Sequence, residues 1–219
     1  MISVSQALED VLERSPNLKG SLIGGILNVT ALARRIQPEL VASLQKPVSV
    51  ASIVMALNRL EKKHKDYNMA DVRDYIGDMT IKSLVTVAKF PNSKYSLNIS
   101  ANIMQEAQDI GAYLSLVKGV RETTIITDPM MRSMIDDQLA TIEDKHFIEG
   151  LGALMIRLIG KHHRTPGIFQ FMVQLLAWRG ISIVEMLYIE EDVVLIVDQT
   201  EVDKAFEALR RASQSKVNY

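Results

Sequence analysis

From residue 82 onward the apolar residues change their period in a fixed order, and that order occurs twice. In the later occurrence, residues 153–159 form an apolar strand run. Ile168, Phe171, Met172, Leu175 and Leu176 then fall at i, i+3, i+4, i+7 and i+8, the stripe of one helix face, which Gly180 closes. Two β-rich runs follow, 181–189 and 193–197, across the charged turn Glu190-Glu191-Asp192, and Val202, Ala205, Phe206 and Leu209 line a last helix. The earlier occurrence has a strand over 82–90 ended by Pro91, then a helix striped by Ile99, Ile103, Ala107 and Ile110 and ended by Gly111. Strands over 112–118 and 123–127 flank a turn containing Gly119, and Asp128-Pro129 open a helix carrying Met131, Met134, Ile135 and Leu139. Ser83 and Ala153 are 70 positions apart, as are Asp128 and Asp198, so the two βαββα segments read as a duplication.

A βαββα segment needs one more strand to complete a ferredoxin-like sandwich, two helices on one face of an antiparallel sheet. The first copy can draw it from residues 145–149. The second has only residues 215–219 after its last helix, so its fourth strand is short or missing. Residues 193–197 are apolar at every position rather than alternately, which predicts a strand covered on both faces. Helices cover one face; continuation of the sheet, packing between the copies, or packing between subunits must cover the other. A homodimer is the expected assembly.

The first third reads as helices. Ser3 and Gln6 fit a capping box before Val4, Ala7, Leu8, Val11 and Leu12, and Pro16 ends that run. A short helix is expected over 21–26, another from Asn28 or Thr30 through Ile36, and a continuation from Pro38 to Gln45. Ser49 then caps a helix whose Val50, Ile53, Val54 and Leu57 form one apolar stripe. Short helices ending in one with a polar, basic surface resemble a helix-turn-helix or winged-helix domain. On that reading Arg59, Lys62 and Lys63 meet phosphates, and Ser52 and Asn58 face base edges. The bland alternative is a lysine-tipped surface helix that serves solubility. Residues 1–66 hold nine basic and six acidic side chains, an excess of three, short of a dedicated nucleic-acid footprint. The expected division is a helical domain over 1–66, a polar connector over 67–78 with a short helix near Val72, and two α+β domains over 79–150 and 151–219.

Several classes of chemistry are disfavoured. The 219 residues include no cysteine, which removes disulfides, thiolate nucleophiles and thiolate zinc sites. The acidic start of the chain does not read as a signal peptide, and Arg179 and Glu185 interrupt the longest apolar stretch, so a cytoplasmic, non-membrane protein is expected. His162 and His163 are adjacent and diverge, so they do not make a shared metal site. Gly20, Gly24 and Gly25 lack the lysine of a phosphate loop, and Gly150-x-Gly152 lacks the third glycine of a dinucleotide turn. No cofactor and no metal is expected.

At Arg164-Thr165-Pro166-Gly167-Ile168-Phe169, followed by the run Gly180-Ile181-Ser182-Ile183, the sequence resembles the ACT domains of amino-acid-sensing proteins. The regulatory modules of aspartokinases are the nearest pattern. The likeness covers residues 153–210 by motif and 82–139 by topology. The whole chain also looks like ACT-containing regulators of amino-acid metabolism with an N-terminal helix-turn-helix. This resemblance implies a fold of two tandem ACT-like βαββαβ domains behind a small all-α domain. It also implies an effector site at the turn between first strand and first helix: His163, Arg164, Thr165, Pro166, Gly167 and Ile168 in the second copy. The first copy carries Asn92, Ser93 and Lys94 in place of that turn, and is expected to supply the opposing wall. The chemistry is coherent, since helix N-terminal amides and Arg164 can hold a carboxylate and Gly167 admits a ligand to the backbone. The function that follows is a non-enzymatic regulator in which an amino acid alters DNA binding. The alternative is a regulatory subunit that docks on an amino-acid biosynthetic enzyme of the aspartate family, such as aspartokinase or homoserine dehydrogenase.

Overall fold

Short polar side chains start three of the first four helices. Ser3 Oγ accepts from the amide of Gln6, Asn28 Oδ1 from Ala31 and Ser49 Oγ from Ser52, each satisfying a first-turn N–H. In the computed structural model, which describes residues 3–23, 26–63, 69–160 and 165–214, these helices form a first unit that ends at Ala70. They are α1 (Val4–Glu13), α2 (Pro16–Ile23), α3 (Val29–Leu44) and α4 (Val50–Lys63). Their shared core is Leu8, Leu12, Leu22, Ala33, Leu40, Ile53 and Leu57.

Two boundaries differ from the sequence reading. Helix α2 starts at Pro16 rather than Ser21, because proline fits the first helical turn, where no N–H bond is lost. Helix α3 runs unbroken through Pro38 instead of restarting there. Burial of Leu32, Ile36 and Leu40 on one face outweighs the interior proline's cost of about 3 kcal/mol. Among the described residues of this unit no strand occurs, so the β wing of a winged helix is not found there.

The second unit, from Asp71, is built on β1 (Ile76–Pro91) and β4 (His146–Leu158). Between them come α5 (Ser96–Ile110), β2 (Leu114–Lys118), β3 (Glu122–Thr127) and α6 (Arg132–Gln138). After β4 come α7 (Ile168–Ala177), β5 (Ile183–Ile189), β6 (Asp192–Asp198) and α8 (Val202–Gln214). The six strands make one antiparallel sheet in the order β2-β3-β1-β4-β6-β5. Each long strand serves both copies. The C-terminal half of β1 is the first strand of the first copy, and its N-terminal half pairs with the end of β4, from Ile76 opposite Leu158 to Lys82 opposite Ala153. That segment stands where the fourth strand of the second copy belongs. The expectation placed on residues 215–219 concerns positions outside the described residues. Strand β4 likewise runs through residues 145–149 and 153–159, which the sequence separates into two strands, and β1 begins within the stretch read as connector.

The register corrects the repeat. Thr86 faces Thr127 in the first copy and Gly152 faces Val197 in the second, so the first strands are offset by 66 positions where the last strands keep 70. The spacing between those strands changes because the second copy has a longer strand-to-helix segment, residues 159–167 against 92–95, only partly offset by its shorter helix α7 taken together with the segment after it.

Two bulges compensate along the β1–β4 ladder. Between the pairs Lys82–Ala153 and Val87–Ile148, β1 gains a residue near Leu84 (φ 56°) and β4 regains one near Gly150 (φ 70°). A bulge exchanges the faces of a strand. Thus Met79 and Ile81 join the core under α7 and α8, whereas Val85 and Val87 join residues of the opposite face. Ala88, Phe90 and Ile125 pack under α5 and α6 with Ile103, Ala107 and Ile135.

The helix-free face is covered by the sheet itself. Val85, Val87 and Ile126 from one copy share a buried cluster with Leu151, Ala153, Val194 and Ile196 from the other, joined by Tyr113 of the segment before β2 and Val184 and Leu187 of β5. Lys89 of β1 ion-pairs with Glu185 of β5, although β4 and β6 lie between those strands in hydrogen-bonded order. A flat sheet would separate strands three positions apart by roughly 14 Å sideways alone. The sheet is therefore folded over, and the two halves pack face to face with helices outside. This explains why β6 is apolar throughout: Val193, Leu195 and Val197 face helices, and Val194 and Ile196 face the other copy. No helix among the described residues is long and apolar enough to cross a membrane.

Gly152 sits where β4 passes beneath the start of α8, and a Cβ there would lie 2.9 Å from Val202 Cβ. Gly152→Ala is expected to cost ~1–3 kcal/mol through overpacking. Gly150→Ala, which meets nothing within 4 Å, should cost only the left-handed backbone penalty of about 1–2 kcal/mol. Urea midpoints of the two variants, with unchanged slopes, check the ranking.

Candidate functional site

The turn that the sequence singles out lies at the end of the second copy where β4 stops and α7 starts. Leu158 N donates to the carbonyl of Glu191 (2.6 Å) and Arg157 pairs with the Glu191 carboxylate (3.0 Å), which brings the β5–β6 turn alongside. Gly160 and Gly167 both take left-handed backbone, at φ 67° and 97°, and Gly167 is the N-cap of α7. Having no side chain, Gly167 cannot cap the helix. The helix bonds begin with Phe171 N to Gly167 O (2.8 Å), and the amides before it have no partner within the helix, as at any helix start. Phe169 stands edge-on to Tyr188 of β5, ring centroids 4.9 Å apart. Val173, one turn further along α7, is also exposed.

Of the residues implied by resemblance, Thr165 is half-buried, Pro166 is exposed and Ile168 is buried under the helix. His163 and Arg164 lie outside the described residues, as do Lys161 and His162. Residues missed in the sequence are Val72 and Tyr75, in a 3-10 segment (Met69–Tyr75) that was read as polar connector. Val72 is buried in the core beside Ile168 and Met172. The carbonyl of Tyr75 accepts from Ile159 N (2.9 Å), and Arg73 lies 5.8 Å over the Phe171 ring. A local signal existed: Ile76, Met79 and Ile81 place apolar residues ahead of Lys82 and mark an earlier strand start.

The corresponding turn of the first copy is closed on itself. Asn92 Nδ2 donates to Gly119 O, its Oδ1 accepts from Thr123 Oγ1, both at 2.8 Å, and its amide donates to Arg121 O. Ser93 N donates to Ser96 Oγ (2.6 Å), and Ser93 Oγ accepts from Tyr95 N. Lys94 is exposed, 4.9 Å over the Tyr95 ring. The strand order sets the two turns apart. Pro91 is at one end of the antiparallel β1–β4 ladder and Leu158 is at the other, so within one chain Asn92, Ser93 and Lys94 do not face Thr165, Pro166 and Gly167.

On α4, Asn58, Arg59, Lys62 and Lys63 are exposed. Ser52 is half-buried with its hydroxyl 2.9 Å from that of Ser49, and Lys63 pairs with Glu9 at 3.6 Å. Among the described residues no group of three His, Asp or Glu side chains is placed to hold a metal.

The acids of the duplicated position before the last helix do different work. Asp128 accepts from Tyr113 N and pairs with Lys82 at 2.7 Å. Asp198 accepts from the hydroxyl and amide of Thr200, which hold its carboxyl below the ordinary range.

Neither a family model nor a curated protein matches the sequence. Solved structures do. The ligand-free regulatory subunit of aspartate kinase from Thermus thermophilus superposes with a TM-score of 0.51 at 16% identity, over 63% of this chain and 98% of that one. The aspartate kinase of Clostridium acetobutylicum gives 0.53 at 14% identity over 64% of this chain and 35% of the enzyme. The first unit is too short to supply such a share. The second unit has the fold of aspartate kinase regulatory domains. This establishes the ACT-like βαββαβ architecture of the duplicated part.

Asn92→Ala would leave the buried Thr123 hydroxyl and the Gly119 carbonyl without that partner, so a loss of ~1–3 kcal/mol is expected. Lys94→Ala should stay within about 0.5 kcal/mol of the parent. Equal unfolding midpoints for both variants would refute the structural role assigned to Asn92.

Proposed function

We infer that the chain is a non-catalytic regulator in which an amino acid binds the ACT-like unit and changes how the protein engages an enzyme of amino-acid biosynthesis. The observation that carries this reading is the likeness of the second unit to an aspartate kinase regulatory subunit over nearly that subunit's whole length. The α7 N-terminus supports it chemically. First-turn amides of a helix favour a carboxylate, and left-handed Gly167 lets a small ligand reach them. The exposed apolar residues Phe169 and Val173 of α7, with Tyr188 of the edge strand β5, offer a surface for a second copy.

Docking through protein is preferred here to DNA contact. Of the α4 residues that the DNA reading uses, the Ser52 hydroxyl is engaged with Ser49 and Lys63 is drawn to Glu9, which leaves Asn58, Arg59 and Lys62. In this reading the helical unit is the part that meets the partner, and the protein resides with biosynthetic enzymes in the cytoplasm.

A thermal-shift screen of the full chain against the twenty amino acids is the direct test. A ligand present at 100 times its dissociation constant stabilises by about 2.7 kcal/mol, a clear rise in midpoint. One or a few amino acids should give that rise, and Arg59→Gln/Lys62→Gln should leave it unchanged while abolishing no partner capture by immobilised aspartate-family enzymes. A flat screen rejects the effector role. Salt-sensitive, sequence-selective duplex binding lost in the double variant would replace the enzyme partner with DNA.

A further inference from the structure

The helical unit has an open cleft where α1, α2 and α4 meet. Its floor is apolar: Leu12, Leu22 and Leu60 are buried and Ile23 is half-buried. Its rim is charged, and the two signs come from different helices. Glu9 and Glu13 stand one turn apart on α1, whereas Lys19 is supplied by α2 and Lys63 by the last turn of α4. The cleft encloses about 180 Å³, and all of its lining residues are among those the structure describes. An apolar cavity of about 150 Å³ admits benzene, so the space suffices for one aliphatic side chain. The rim charges are not spent on each other. Lys63 and Glu9 approach only to 3.6 Å, with side chains 68% and 43% exposed. Among the described residues neither Glu13 nor Lys19 enters an ion pair, and Arg14, next in sequence to Glu13, is turned instead to Glu39 of α3 at 2.9 Å. Charges that served solubility alone have no reason to ring an apolar floor with the acids on one helix and the bases on the others.

We propose that this cleft binds a small zwitterion with an apolar side chain, an aliphatic α-amino acid being the simplest, its ammonium group toward Glu9 and Glu13 and its carboxylate toward Lys19 and Lys63. Each end then makes a charge-assisted hydrogen bond, and the side chain takes the leucine floor out of water. A molecule carrying only one of the two charges satisfies one wall and leaves the other without a partner. The rim therefore selects for both charges at once. The site belongs to the helical unit, and the proposal does not rest on the effector reading given for the ACT-like unit.

Saturation-transfer NMR titrations of the full chain with L-leucine, N-acetyl-L-leucine and L-leucinamide test it, since each derivative lacks one of the two charges. Leucine should bind about tenfold more tightly than either derivative. Glu13→Gln and Lys19→Gln, at surface positions outside any ion pair among the described residues, should each weaken leucine by about tenfold and leave the ligand-free thermal midpoint unchanged. In Lys19→Gln the affinities for leucine and leucinamide should converge, because the carboxylate has lost its partner. No leucine binding at millimolar concentration, or equal binding of leucine and N-acetyl-leucine by the parent, overturns the site. So does leucine binding that both variants leave unchanged, and that result would place the amino acid in the ACT-like unit. Loss of leucine in both variants supports the cleft and holds whether or not the ACT-like unit has an effector of its own.

Discussion

The long β1–β4 ladder is the interaction on which the second unit depends. Neither copy can close its own four-stranded sheet, because each takes its fourth strand from the strand that opens the other. The pairs from Ile76–Leu158 to Lys82–Ala153 complete the second copy, and those from Val87–Ile148 to Lys89–His146 complete the first. An isolated copy would expose an unpaired strand edge along a core residue row, which is a liability for solubility and register. The duplication is therefore a structural unity: cutting the chain between the copies would sever a strand rather than a linker.

Sharing a ladder creates a second constraint. If two adjacent sandwiches carried all helices on one face of a flat sheet, the other face, with Val85, Val87, Ile126, Val194 and Ile196, would stand in water. Those side chains are nearly or fully buried because the sheet folds over at the compensating bulges and packs against itself. At ~25 cal/mol per Å² of apolar surface, burying even a few such side chains outweighs the local strain of left-handed Leu84 and Gly150. The Lys89–Glu185 pair then fixes how the halves meet, with both side chains largely shielded.

Much of this is legible in the sequence, and the misses have a common cause. Helix stripes such as Ile168, Met172 and Leu176 and stops such as Gly111 and Gly180 are local, and so they are readable. The unbroken apolar run of β6 announces cover on both faces, and packing between the copies, one of the three sources it leaves open, is what provides it. What is not readable is which strand completes which sheet. The N-terminal half of β1 belongs to the second copy only through pairing with residues some 75 positions away, and no local pattern encodes that. The same non-locality hid Val72 and Tyr75. In a segment rich in Asp they look like connector, and their role comes from what β1 brings them to.

The two strand-to-helix turns show how a duplicated scaffold separates stability from binding. In the first copy the Asn92 side chain and backbone amide are bonded to the β2–β3 turn and the start of β3, and the segment is too short to open without breaking those bonds. In the second, Gly160 and Gly167 take left-handed backbone, and α7 begins at a residue that has no side chain to cap it. Left-handed glycine supplies freedom at the cost of order. Residues just ahead of β1 lie beside both glycines, the Tyr75 ring 3.6 Å from a Cβ at Gly160 and Val72 Cγ2 3.8 Å from one at Gly167. The ladder dictates this pairing: since β1 runs antiparallel to β4, the start of β1 must lie at the end of β4, and the entering chain has no other end of the sheet to meet.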